Sequence, residues 1–336
     1  MERRTWVNRY RDELKGLAIL WVVFFHGKVL LPGAWDLLRT LGYGGVDIFL
    51  FLMGLGLYQS LSKGEELRGY AARRLWRVLP AYLPLLIVWM AVMYPGYGLS
   101  PAQALRGVAG NLAMVGYWIQ TPKVFNWYAN AQFLFYLIAP ILFAALTRSR
   151  KPARMLFCLL GLFAMVGAAN IGQPQMMGAS RFPIFLLGMA FGMDWRVSDR
   201  RGWVRAGYAV AFAVGLSSLL YFTYVKPGLL IDFGMYWYPF ALMTPGLCVG
   251  LRALFHRVER ATRWFAPLRR VGQSSFEIYL INIWLVELAK KYQLEGVWPW
   301  LGLFAVNLAL GLLYHTLVTR AVAAWRSRHP APNKVV

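Results

Sequence analysis

Residues 15–26 read Lys15-Gly-Leu-Ala-Ile-Leu-Trp-Val-Val-Phe-Phe-His26, an uncharged run bounded by a lysine and a histidine. On a helix of about 3.6 residues per turn its two ends fall within about 20° of one face and about 16 Å apart along the axis. The run continues to residue 32, long enough for a membrane span. Two readings of His26 stay open: a neutral imidazole hydrogen-bonded between helices, or a functional group, because an ionisable side chain at that depth is expensive to keep.

The rest of the chain repeats this pattern. Apolar segments cover 16–32, 43–61, 79–95, 127–146, 155–171, 182–195, 206–225, 234–254, 271–289 and 298–319, against the 17–25 residues or so that a helical span needs. Of the 336 residues 59% are hydrophobic and 15% charged, whereas a soluble domain carries about 45–50% apolar and about 25% charged residues. With a mean hydropathy of +0.46, a soluble fold, a disordered chain and a disulfide scaffold are all excluded. Cys158 and Cys248 sit inside apolar stretches and read as small hydrophobes. The expectation is an all-α polytopic membrane protein, a bundle of ten transmembrane helices. Residues 99–120 are a candidate eleventh, but Ser100, Pro101, Gln103, Arg106 and Asn111 favour a re-entrant or surface helix.

Charge supports ten. The formal net charge is +22; in a soluble chain that would suggest a nucleic-acid partner, but here no nucleic acid is expected. Starting with the N-terminus inside, the basic clusters fall on alternate loops: Arg3 to Lys15, Lys63 to Arg77, Arg148 to Arg154, Arg196 to Arg205, Arg252 to Arg270, and Arg320 to Lys334. That alternation places both termini in the cytoplasm. The basic Met1–Lys15 stretch leads into further spans, so no cleavable signal peptide is expected. Residues 1–325 form one integral-membrane domain, and 326–336 read as a disordered cytoplasmic tail.

Three constellations carry chemistry. Lys15 and His26 share a helix face. Asp47 opens the second span after Gly42-Tyr-Gly-Gly; it either caps that helix or faces His26 and sets its tautomer and basicity. Arg73, Arg74 and Arg77 stand at i,i+4 and i,i+3 spacing on a short cytoplasmic helix. Such a cluster either snorkels at the membrane surface or holds a polyphosphate, with which guanidinium groups pair bidentately.

These residues resemble acyltransferase family 3, the bacterial integral-membrane O-acyltransferases. The likeness lies in Lys15-x10-His26, Gly45-Val-Asp47-Ile-Phe49, and Arg74-Leu-Trp-Arg77 followed by Leu79-Pro80-Ala-Tyr82. It continues through Asn126-Trp127-Tyr128 with Tyr136 and Pro140, Arg181-Phe-Pro-Ile-Phe185-Leu-Leu-Gly188, and Val271-Gly272-Gln-Ser-Ser275-Phe-Glu277-Ile-Tyr279-Leu280. The resemblance implies a bundle of ten or so helices in the bacterial inner membrane. It also implies transfer of an acyl group, usually acetyl, from cytoplasmic acyl-CoA to a hydroxyl of a cell-envelope saccharide or glycolipid, with no metal. Three positions depart from the family pattern: Lys15 stands for the commoner arginine, Met53-Gly54 for a serine-glycine pair, and Asn282 for a second histidine after Tyr279-Leu280-Ile281.

On this reading His26 is the base or the acyl carrier, Asp47 orients it, and Lys15 acts toward the coenzyme. Arg73, Arg74 and Arg77 hold the phosphates of acetyl-CoA. Trp127, Tyr128, Arg181, Glu277 and Asn282 are candidates for the acceptor side. A transporter or flippase for an anionic envelope precursor would use the same intramembrane charges, although no matched pair of broken spans marks two halves. A catalytically inactive sensor or scaffold is the third reading.

Overall fold

The computed structural model describes residues 7–27, 31–64, 66–198, 202–232, 237–258 and 262–328. Segment 329–336 of the expected tail and the basic residues Arg3, Arg4, Arg200, Arg201, Arg260 and Lys334 lie outside the described residues. The described chain is helical, with no strand. Apolar runs of this length can satisfy their backbone groups in lipid only within their own helices.

The helices, in chain order, are α1 (Arg11–Phe25), α2 (Ala34–Thr40), α3 (Gly45–Leu61), α4 (Leu67–Met93), α5 (Pro101–Leu112), α6 (Trp127–Arg148), α7 (Pro152–Ala169) and α8 (Met176–Ala179). They continue as α9 (Phe182–Ser198), α10 (Gly202–Tyr224), α11 (Pro227–Asp232), α12 (Trp237–Arg257), α13 (Thr262–Gln273), α14 (Ser275–Lys291) and α15 (Val297–Arg328). Among the described residues eight segments are long and apolar enough to cross a membrane: Trp35–Leu61, Leu67–Tyr97, Trp127–Arg148, Pro152–Ala169, Met176–Met193, Ala206–Tyr224, Tyr238–Arg257 and Val297–Arg328. All eight coincide with expected spans. The other two expected spans contain α1 and α14, of 15 and 17 residues, which carry charges near their ends.

Several boundaries move. The first span ends as a helix at Phe25, not at 32, because the chain turns at His26 and Gly27 ahead of Pro32 and Gly33. The arginine-rich segment is not a short separate helix: α4 carries it and the following span as one unit of 27 residues, through Pro80 and Pro84. The ninth span begins at Ser275, since the chain breaks at Ser274 between α13 and α14. In the last span α15 continues to Arg328, three residues into the segment read as a tail. Helix α5, at 12 residues, is too short to span. Its start is set by a reciprocal capping box between Ser100 and Gln103 with Pro101 in the first turn.

Close helix crossings build the core, as expected where lipid supplies no hydrophobic drive between helices. Gly54 of α3 lies on the Phe185 carbonyl of α9, and Gly188 of α9 lies on the Phe51 carbonyl of α3. Between α1 and α13, Gly16 meets Leu268 and Gly272 meets the Asp12 carbonyl. The same pair of helices is tied at its edge by Glu13, which is buried and accepts from Arg269 Nε at 2.9 Å and Nη2 at 2.7 Å. Helix α1 thus runs through the interior with α3, α13 and α14 around it.

Candidate active site

Lys15 and His26 stand near opposite ends of α1, and each opens on a different cavity. At the Lys15 end lies a cleft of about 460 Å³. Helix α1 contributes Arg11 and Lys15 to it, α4 contributes Arg74 and Arg77, and α15 contributes Arg326. Lys15 is 9% exposed, with Nζ 3.6 Å from Asp12 Oδ1. Arg74 is positioned by aromatic faces, its guanidinium 5.2 Å from the Tyr70 ring and 5.8 Å from the Tyr136 ring. Five basic side chains in one cleft repel each other and give it a strongly positive potential.

Arg73 departs from expectation. It is exposed and absent from the cleft wall, while Arg74 and Arg77 line it. The buried line of α4 is Tyr70, Arg74 and Val78 at i,i+4 spacing, which turns Arg73 away. Arg11 and Arg326 take part instead. Arg11 was legible, since it precedes Lys15 by one turn on the same face; Arg326 belonged to the expected tail.

Helices α6, α14 and α15 complete the cleft with Tyr128, Gln132, Tyr136, Ser275, Glu277, Tyr279 and His315. Glu277, read as an acceptor-side residue, lies here, with Oε1 3.2 Å from His315 Nδ1. No spacing rule links two residues so far apart.

His26 does not touch this cleft. It caps the C-terminus of α1, its N–H donating to the Val22 carbonyl at 3.2 Å. It lines a separate pocket of about 50 Å³ together with Val23, Asn282, Lys290, Trp300 and Phe304. Asn282 is the polar neighbour with which its ring interacts. His26 Nδ1 and Asn282 Oδ1 are nevertheless both buried without a hydrogen-bond partner. Gly27 is held by Arg39, which donates from Nη1 to its carbonyl at 3.0 Å and pairs with Asp36 at 2.8 Å.

Asp47 therefore neither caps α3 nor orients His26. It is 1% exposed, stands inside α3, whose N-cap is Gly44, and pairs with Arg181 Nε at 3.6 Å. Arg181 donates from Nη1 to the Met177 carbonyl at 2.6 Å, and its guanidinium lies 5.3 Å from the Trp127 ring. Trp127 meets Tyr128, whose ring packs edge-on against Tyr279 with centroids 5.1 Å apart. Of the five acceptor candidates, Trp127, Tyr128 and Arg181 thus form one aromatic–cation cluster, Glu277 faces the cationic cleft, and Asn282 accompanies His26. Among the described residues no three His, Cys, Asp or Glu side chains gather as metal ligands.

A helical bundle of this hydropathy, with a strongly basic cleft and a half-buried histidine near opposite ends of one helix, defines a multi-pass membrane protein. A family model described as an acyltransferase domain, Acyl_transf_3, matches residues 8–316, and the chain belongs to that family of membrane acyltransferases. Neither the curated proteins nor the solved structures contain a match to it.

Proposed function

We propose that the protein is an O-acyltransferase of the bacterial inner membrane, with both termini cytoplasmic, that moves an acetyl group from acetyl-CoA to a hydroxyl of a cell-envelope saccharide or glycolipid. The observation that carries this reading is the relation of the two cavities. The cleft holds Arg11, Lys15, Arg74, Arg77 and Arg326, a match for the phosphates of a coenzyme A thioester. On α14, Tyr279 lines the cleft and Asn282 lines the histidine pocket. Three residues of helix amount to a rise of about 4.5 Å. A donor anchored by its phosphates among the cations needs to extend its acyl end only about one helical turn past Tyr279 to come level with the His26–Asn282 pair.

His26 supplies the base. A sugar hydroxyl has a pKa far above neutrality, so attack on a thioester calls for a group that takes its proton as the C–O bond forms. The imidazole receives that proton, the carbonyl collapses, and the departing thiolate takes the proton back. An acyl-histidine formed first would balance in the same way. Asn282 replaces Asp47 as the residue that orients the ring. The Asp47–Arg181–Trp127 cluster, joined to Tyr279 through Tyr128, shapes the wall beside the route.

The test is turnover of labelled acetyl-CoA by the purified protein. Wild type should consume the thioester, and His26→Ala should lower the rate by about 10²–10⁴-fold while coenzyme binding at the cleft persists. A well-folded His26→Ala protein with undiminished transferase activity refutes the assignment.

A further inference from the structure

Helix α15 carries one more buried polar side chain that the site described above does not use. Asn307 is 1% exposed, and neither its Nδ2 nor its Oδ1 has a hydrogen-bond partner among the described residues. A buried amide left unsatisfied costs about 1–3 kcal/mol for each group, and native folds seldom leave both ends of one side chain in that state.

Its position is fixed by the antiparallel pairing of α14 and α15. His315 faces Glu277 at 3.2 Å, and Gly311 lies directly on Ile278. One turn further along α15, the same register brings Asn307 level with Asn282. Leu303 and Phe304, the next turn, line the His26 pocket beside Asn282. The line 303, 307, 311, 315 is a single i,i+4 stripe facing α14. It starts in the histidine pocket and ends in the cationic cleft, so Asn307 lies between the two cavities, behind the wall of each. The absence of a side chain at Gly311 is what lets the helices meet so closely there.

We infer that Asn307 receives the acyl-thioester end of the donor, its Nδ2 donating to the thioester carbonyl oxygen. This rests on the acyltransferase reading above and adds a residue to it. When the nucleophile's oxygen bonds to the carbonyl carbon, the C=O electron pair moves onto oxygen, and the buried amide N–H stabilises that charge. The pair returns as the C–S bond breaks and the thiolate leaves with the proton held by His26. The same oxyanion forms if His26 itself is the nucleophile. A fixed donor in a water-poor site is worth far more to such a charge than one in water, and removing one costs about 10²–10³-fold in turnover.

The deciding experiment uses the full chain in detergent or nanodiscs. Asn307→Leu removes both polar ends at similar volume. It should fold with unchanged or higher thermal stability, since it deletes unpaired buried groups. It should bind CoA like wild type, bind acetyl-CoA more weakly than wild type does, and fall in kcat by about 10²–10³-fold. Asn307→Ala provides the same comparison if leucine packs badly. Unchanged kcat in either folded variant, or a fall in stability that accounts for the lost activity, overturns the inference and leaves the acyltransferase reading standing. Absence of thioester turnover in wild type, with acceptor fractions supplied, overturns both.

Discussion

Replacing Arg77 with alanine separates ligand binding from folding at the cationic cleft. Arg77 lies in the field of Arg11, Lys15 and Arg74, and its own side chain is largely exposed. Removing it from a crowd of like charges does not destabilise the ligand-free protein. Arg74 is less clean, because it also packs on Tyr70 and Tyr136. If Arg77 contacts a coenzyme phosphate, losing that charge-assisted bond costs about 1.5–3 kcal/mol, or about tenfold to a hundredfold in affinity; solvent exposure points to the lower end. At a donor concentration of 100 wild-type dissociation constants, binding stabilises the native state by about 2.7 kcal/mol. A tenfold weaker site retains about 1.4 kcal/mol of this and a hundredfold weaker one about 0.4 kcal/mol. The CoA-induced thermal shift should therefore fall to about one half, and to about one sixth at the extreme. The assay is thermal denaturation of purified protein with and without CoA, supported by the KM for acetyl-CoA. An undiminished shift in Arg77→Ala and in the Arg74→Ala/Arg77→Ala double variant would show that the cluster serves topology alone.

Two further predictions concern the fold. Gly272→Leu should lower thermal stability by at least the upper end of about 1–3 kcal/mol, because the new side chain meets the Asp12 backbone across the α1–α13 crossing; Gly161→Leu, with open space around it, should be neutral, and equal behaviour of the two would remove the crossing from the account. Reporter fusions after Arg150 and Arg270 should give cytoplasmic signals and fusions near Gly98, Gln175 and Gly228 external ones, so an external signal at Arg270 would break the ten-span scheme.

The spans were legible because lipid leaves a long apolar run few alternatives to a helix. Their ends were less so. The arginines were read as a short helix apart from the span at 79–95, yet α4 runs from one into the other through Pro80: a proline removes one N–H and strains one carbonyl, and a helix supported by its neighbours tolerates that. Segment 16–32 did contain a stop, Gly27 with Lys28 and then Pro32, but it was read past; in the structure the Arg39 bond to the Gly27 carbonyl fixes the turn there.

In the site, what was legible is what lies on one helix. Periodicity grouped Lys15 with His26 along the first span, and Arg73, Arg74 and Arg77 on α4, of which only Arg74 and Arg77 line the cleft; it also contained Arg11, one turn before Lys15, where the reading stopped short. Partnerships between helices carry no such signature. Asp47 and His26 were paired because an acid and an imidazole on consecutive spans make good chemical sense. The packing instead gives Asp47 to Arg181 and His26 to Asn282. Asn282 was noted as a departure from the family's second histidine, which cast doubt on any mechanism needing two. Its place beside His26 turns that doubt into a constraint: a carboxamide cannot take up a proton at neutral pH, so of the His26–Asn282 pair only His26 can hold one, and Lys290 is the other titratable group lining the pocket.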